Sequence, residues 1–275
     1  MKPVLITIGG GGMPQLENAL GAIRAIQEID LVYHFDELMG TSAGAIVASV
    51  FASLDQNLNA VEEIIRKSTP EDWFVLKKWQ AIKSIFGRSN YVADNTGLKN
   101  FLLETINKKS VDTVKVAVTS MGKYGKPPVV GDTLMLPATA RAVLASMSFQ
   151  HIFPPVVWGG TQYGDGGVFN LIPLPKYNDL PNYDHIYIII AAQAPLFPSI
   201  KRWPFLSEVL NVIDRTMERE VAQIHELALD EAPNITVIQP PAWEKSSNFL
   251  KWSNNFEQIV ASYKYAYNLL NEKRK

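Results

Sequence analysis

The first fifty residues constrain the fold most, because they read twice over as a short apolar strand, a glycine-bearing loop and a helix. Val4 to Ile8 is an apolar run closed by Gly9 to Gly12. Apolar residues then recur at Leu16, Leu20, Ile23, Ile26 and Ile29, the three-and-four spacing of one buried helix face. Phe35 to Met39 predicts a second strand that breaks at Gly40. From Ala43 to Ala52 every residue but Gly44 and Ser49 is apolar, the pattern of a helix buried all round. Successive strand–loop–helix units predict an α/β fold with a largely parallel sheet. Further strands are expected at Val114 to Thr119, Val129 to Val130, Val156 to Trp158, His185 to Ala191 and Ile235 to Ile238, the last stopped by Pro240-Pro241. Long helical patterns fill Phe205 to Leu229 and Phe256 to Asn271. No repeat, low-complexity tract or charged linker divides the chain, so residues 1–275 are read as one domain.

Composition excludes several function classes. A 47% hydrophobic chain of 275 residues can bury a core without metal or disulfide staples. With 26 basic and 27 acidic residues there is no global field to recruit nucleic acid or anionic lipid. Cysteine is absent, which rules out a disulfide framework, a thiolate metal site and a cysteine nucleophile. The apolar run before Gly9 is too short for the ~7–15 residues of a secretory signal core. Ile186 to Ala192 likewise falls far short of the ~20 residues that span a membrane. The expectation is a soluble, cytoplasmic protein whose contact with membranes is at most peripheral. Glu71 to Tyr91 is the segment that suggests such contact, with Trp73, Phe74, Trp79, Phe86 and Tyr91 among Lys77, Lys78, Lys83 and Arg88. Val75, Trp79, Ile82 and Phe86 share a helical face, which suits either an interfacial helix over Trp73–Tyr91 or ordinary packing on the sheet.

Three elements carry candidate chemistry. Gly40-Thr41-Ser42-Ala43-Gly44 matches G-x-S-x-G, where small residues let a strand turn sharply into a helix and project the serine hydroxyl. The same string serves as an ordinary helix N-cap. Gly9 to Gly12 offers backbone N–H groups to an anion but lacks the Gly-Lys-Ser/Thr of a nucleotide loop, and Gln15 stands where G-x-G-x-x-G needs glycine. It suits an oxyanion hole or a plain tight turn. Asp165, in Gly164-Asp165-Gly166-Gly167, reads first as a hairpin turn, yet a carboxylate held against a serine can take its proton. None of His34, His151, His185 and His225 forms a metal-type pair, a Ser…Asp…His order would need His185 or His225, and nothing in the sequence around either marks it out.

Taken together and in this order, the glycine loop, G-x-S-x-G and D-G-G resemble the patatin-like phospholipase family. The resemblance extends through Val114 to Val130 (VKVAVTSMGKYGKPPVV), Ala142 to Pro155 (AVLASMSFQHIFPP) and Asp165 to Pro173 (DGGVFNLIP), and the later helices and strand also fit. It implies a three-layer α/β/α fold and a lipid acyl hydrolase without metal or organic cofactor. In it Ser42 and Asp165 form a catalytic dyad, Gly10, Gly11 and Gly12 supply the oxyanion hole, and a lipid or other acyl ester is the substrate. The same acyl-enzyme would serve an acyltransferase, and the same fold a non-catalytic binding protein. One departure stands out: the family's loop usually reads G-G-G-x-Lys/Arg-Gly, and here Pro14, which has no N–H, and Gln15 take the last two places.

Overall fold

The computed structural model describes residues 2–76, 91, 93–106, 112–124, 132–150, 152–190, 204–230, 234–240 and 257–274. In chain order the strands are β1 (Val4–Ile8), β2 (Glu37–Thr41), β3 (Val75–Leu76), β4 (Ala93–Asp94), β5 (Val114–Lys123), β6 (Thr133–Pro137), β7 (Val156–Trp158), β8 (Thr161–Asp165), β9 (His185–Ile189) and β10 (Ile235–Ile238). The helices are α1 (Gly12–Ile29), α2 (Ala43–Ser53), α3 (Leu58–Lys67), α4 (Pro70–Trp73), α5 (Thr96–Thr105), α6 (Ala140–Ser146), α7 (Pro204–Asp230) and α8 (Glu257–Lys273).

Among the described residues β10, β9, β1, β2 and β5 run parallel in that order, and β6, β8 and β7 add an antiparallel part. Alternation along the strands sorts side chains onto two faces. Ile6, Ile8, Leu38, Tyr187 and Ile189 pack with α1, α2 and α8, whereas Leu5, Met39, Ile186 and Ile188 pack with Met217 and Ile224 of α7. The result is the expected α/β/α layering. Helix α1 buries Leu16, Leu20, Ile23 and Ile26 completely, each worth about 1.5–3 kcal/mol by apolar burial. Helix α2 is buried at every position from Ala43 to Ala52, as its composition requires.

The expected strands at Val156–Trp158 and Ile235–Ile238 and the helices at the chain's end appear with ends shifted by two residues or fewer. Val129–Val130 and Ala191 lie outside the described residues. Two expectations need correction. Strand β2 starts at Glu37 and runs through Gly40. The backbone of Phe35 is instead held by the Gln56 side chain, at 2.7 Å from N–H and 2.8 Å to C=O. Glu71 to Trp73 belongs to the short helix α4, capped by Thr69, and the chain is already extended at Val75. Trp73 packs on Phe101 and Phe74 on Phe153, both buried in the core, so neither reaches a lipid surface. Residues 77–90 lie outside the described part.

Helices α1 and α8 touch backbone to backbone at Gly21. A Cβ there would stand 2.3 Å from the Ile259 carbonyl oxygen and 2.7 Å from Tyr263 N. Alanine is normally the better helix former by about 1 kcal/mol. Gly21→Ala should nonetheless destabilise the protein by about 1–3 kcal/mol through overpacking, measured by denaturant unfolding. A stabilised variant would mean that α8 does not lie this close.

Candidate active site

Ser42 stands between β2 and α2 with φ 54° and ψ −123°. A non-glycine residue in this region costs on the order of 1–3 kcal/mol, so the surroundings must enforce it. Gly40 and Gly44 allow the turn. A Cβ on Gly40 would come within 2.5 Å of the Gly44 oxygen, and one on Gly44 within 2.2 Å of the Ile8 oxygen. The Ser42 N–H donates to Oγ of Ser146 at 2.9 Å, and its carbonyl accepts Ala45 N–H at 2.9 Å. Both bonds fix the backbone and leave the hydroxyl projecting, 3.7 Å from Sδ of Met147.

Asp165 arrives by strand register. Along β5, Val116 and Ala117 pair with β2 on one side and β6 on the other, while Val118 and Thr119 pair with β8 and β6. Strands β2 and β8 therefore share one edge of β5 and run toward each other. Strand β2 ends with Thr41 opposite Ala117, and β8 ends with Asp165 opposite Val118. The residue leaving one tip is Ser42 and the residue ending the other is Asp165. The last turn of α6 and the residues after it tie the two together: Ser146 takes the Ser42 N–H, and the Ser148 carbonyl takes the Asp165 N–H at 3.0 Å.

The Asp165 carboxylate is 2% exposed. Burial pushes it up to about 7, against the stabilising pull of Gly167 N–H and the Ser42 hydroxyl. The Gly167 bond is 2.7 Å. A carboxylate with that affinity for protons is a far better base than an ordinary aspartate.

Of the three loop glycines, Gly10 has its N–H committed to the Leu171 carbonyl at 2.9 Å. That N–H is therefore already engaged within the fold. Gly11 (φ 153°) and Gly12 (φ 69°) lead into α1, and their N–H groups have no acceptor among the described residues. They also stand at the positive end of the α1 dipole. The loop passes directly over the nucleophile candidate, a Cβ on Gly10 lying 3.2 Å from the Ser42 Cβ. Gln15 is fully buried and donates to the Ile189 carbonyl at 3.2 Å, which also accepts Gly9 N–H. The substituted position thus braces the loop.

His185 pairs with Val4 at the far end of the sheet and bonds Thr236. His225 bonds Gln239, and His151 lies outside the described residues. Sequence reasoning missed Ser146, Ser148 and Glu220. The Glu220 carboxylate accepts the N–H groups of Leu171 and Ile172, each at 3.0 Å, and burial raises it to about 7. A cavity of about 540 Å³ opens beside it, lined by Asn170, Ile172, Leu180, Glu220, Ile224 and Leu227 among others and not by Ser42 or Asp165.

The raised Asp165 means that the folded state holds a proton the unfolded chain would release. Its stability contribution is present in full below the ordinary carboxylate range and is lost as pH rises from about 4 through about 7. Asp165→Asn keeps an oxygen for Gly167 N–H and removes the ionisation. The variant's unfolding free energy should fall with pH in that window less steeply than wild type, by about 1.4 kcal/mol per pH unit. The slope that remains is set by other groups, Glu220 in the same direction and the lowered, partly buried His185 in the opposite one. Equal slopes in variant and wild type would show that Asp165 is not held protonated.

A family model, Patatin-like phospholipase, matches residues 6–175. Triacylglycerol lipase 4 of Saccharomyces cerevisiae is 25% identical over 254 residues, taking in 78% of this chain and 26% of that protein. The chain thus spans about a quarter of the length of this curated relative. The crystal structure of VipD from Legionella pneumophila shares the fold with a TM-score of 0.51 at 13% identity, over 98% of this chain and 67% of that one. The family match takes in the glycine loop, Ser42 and Asp165 together, and the chain belongs to the patatin-like phospholipase family.

Proposed function

We propose that the chain is a serine lipid acyl hydrolase in which Ser42 is the nucleophile and Asp165 its base. The observation that carries this reading is the meeting of β2 and β8, which sets a buried, proton-avid carboxylate beside a serine hydroxyl on a strained turn. Ionised Asp165 takes the Ser42 proton as Oγ attacks the acyl carbonyl. The oxyanion that forms is met by the N–H groups of Gly11 and Gly12 at the α1 N-terminus. The alcohol leaves with the proton from Asp165, giving an acyl-enzyme. Water, deprotonated by the same carboxylate, then releases the fatty acid. No step calls on a metal or organic cofactor.

Family membership and the lipase relative support acyl esters of phospholipids or acylglycerols as substrates. A lipid-facing surface in the segment up to Tyr91 would begin after the buried Phe74, at the exposed Val75. Reversing Lys77, Lys78 and Lys83 to Glu should then weaken binding to anionic vesicles, and unchanged binding would assign the segment to packing.

Hydrolysis of p-nitrophenyl esters, labelled phosphatidylcholine and labelled triacylglycerol tests the reading. Ser42→Ala should abolish turnover of whichever substrates wild type accepts. Fatty acid appearing on added glycerol or lysolipid instead of in water would reassign the chain as an acyltransferase. Folded wild type that neither turns over nor labels with a fluorophosphonate probe would reassign it as a binding protein. Because the ionised carboxylate is the base, kcat/KM should climb with pH through a midpoint near 7. A midpoint at the ordinary aspartate value of about 4 would remove burial from the mechanism.

A further inference from the structure

Glu220 has no role in the chemistry above, yet it is a half-buried carboxylate with no cation paired to it among the described residues. Its partners are two backbone amides, Leu171 N–H and Ile172 N–H. The second of these belongs to the same peptide group as the Leu171 carbonyl, and that carbonyl accepts the Gly10 N–H at 2.9 Å. A continuous chain results: carboxylate of α7, peptide group 171–172, amide of the glycine loop. A charged acceptor at one end polarises the peptide and strengthens the bond at the other.

The loop needs such a tether. Gly11 and Gly12 adopt backbone angles open to glycine, and Gly9 to Gly12 carries no side chains to pack. Its placement over Ser42 rests on two backbone bonds, Gly9 to Ile189 and Gly10 to Leu171. The segment that supplies the second bond is itself strapped down on either side. Thr41 Oγ1 donates to the Asn170 carbonyl at 3.1 Å, and Thr7 Oγ1 donates to the Pro173 carbonyl. Between those straps, Glu220 is what sets the orientation of the 171–172 peptide.

We infer that Glu220 is a positioning residue for the oxyanion side of the site, acting on the Gly10–Gly12 loop through the Leu171–Ile172 peptide group. This rests on the hydrolase reading above. Misplacing a catalytic group by about 1 Å typically costs on the order of a hundredfold in rate.

The test uses the full chain with Glu220→Leu and Glu220→Gln. The readouts are kcat and KM on a p-nitrophenyl ester, the rate of fluorophosphonate labelling of Ser42 and the fraction labelled at saturation. Glu220→Leu should lower kcat and the labelling rate about ten- to a hundredfold, with KM within twofold and the labelled fraction unchanged. Glu220→Gln keeps an acceptor without the charge and should lose about three- to tenfold. A purely structural role would lower the labelled fraction and leave the rate per labelled site at the wild-type value, and that result would overturn the inference. If the Leu variant does not fold, a wild-type kcat in the Gln variant overturns it alone. Wild-type protein that fails to label at Ser42 removes the hydrolase reading and this inference together. Wild-type labelling with unaffected variants removes only this one.

Discussion

Strand β5 pairs along a single edge with two strands that approach from opposite ends, and the candidate site exists because their tips meet. Strand β2 needs only the first part of that edge, up to Ala117, and β8 takes the remainder from Val118. A strand of ten residues is long enough for both. Parallel and antiparallel pairing on one edge is what lets the C-terminal ends of two strands face each other, a result neither pure parallel nor pure antiparallel pairing gives. Everything that concerns reactivity is placed relative to that junction: the serine leaves one tip, the carboxylate ends the other, and α6 spans the gap.

Burial at the junction has opposed effects. Helix α2 must sit against Ile8 and Gly9 for Ser42 to turn as it does, which leaves no room for a side chain at Gly44. The backbone strain at Ser42, on the order of 1–3 kcal/mol, is offset by the apolar burial along α2. The exclusion of water that makes Asp165 a strong base also makes its ionised form costly to keep inside the fold. The site thus trades stability near neutral pH for proton affinity, a trade found where a fold has been shaped around chemistry.

What was legible in the sequence was local. Periodicity placed β1, α1, α2, α7 and α8 because each buries a face that repeats within a few residues. The start of β2 was misread because Phe35 looks like strand but is held by Gln56 across a loop. Asp165-Gly166 looked like a hairpin turn, whereas the hairpin between β7 and β8 turns at Gly159-Gly160, both at positive φ. Asp165 itself became a candidate through the order of motifs, since an Asp-Gly pair alone carries no such message. Ser146 and Glu220 were invisible for a plainer reason. Their partners lie 104 and about 50 residues away, and a single serine or glutamate on a helix gives no sign of what it will touch.

The extent of the family match has a consequence for where this molecule can be divided. The family model's match stops at residue 175, but β1 is flanked by β2 on one side and β9 on the other, and β9 in turn by β10. A chain ended at Pro175 would leave the first strand with a bare row of amides and carbonyls. It would also strip α8 from Gly21 and Asn18 of α1, exposing the Asn18 carbonyl that now accepts the Ser262 hydroxyl. The C-terminal limit of the segment that the family model matches therefore runs through the sheet, not around it.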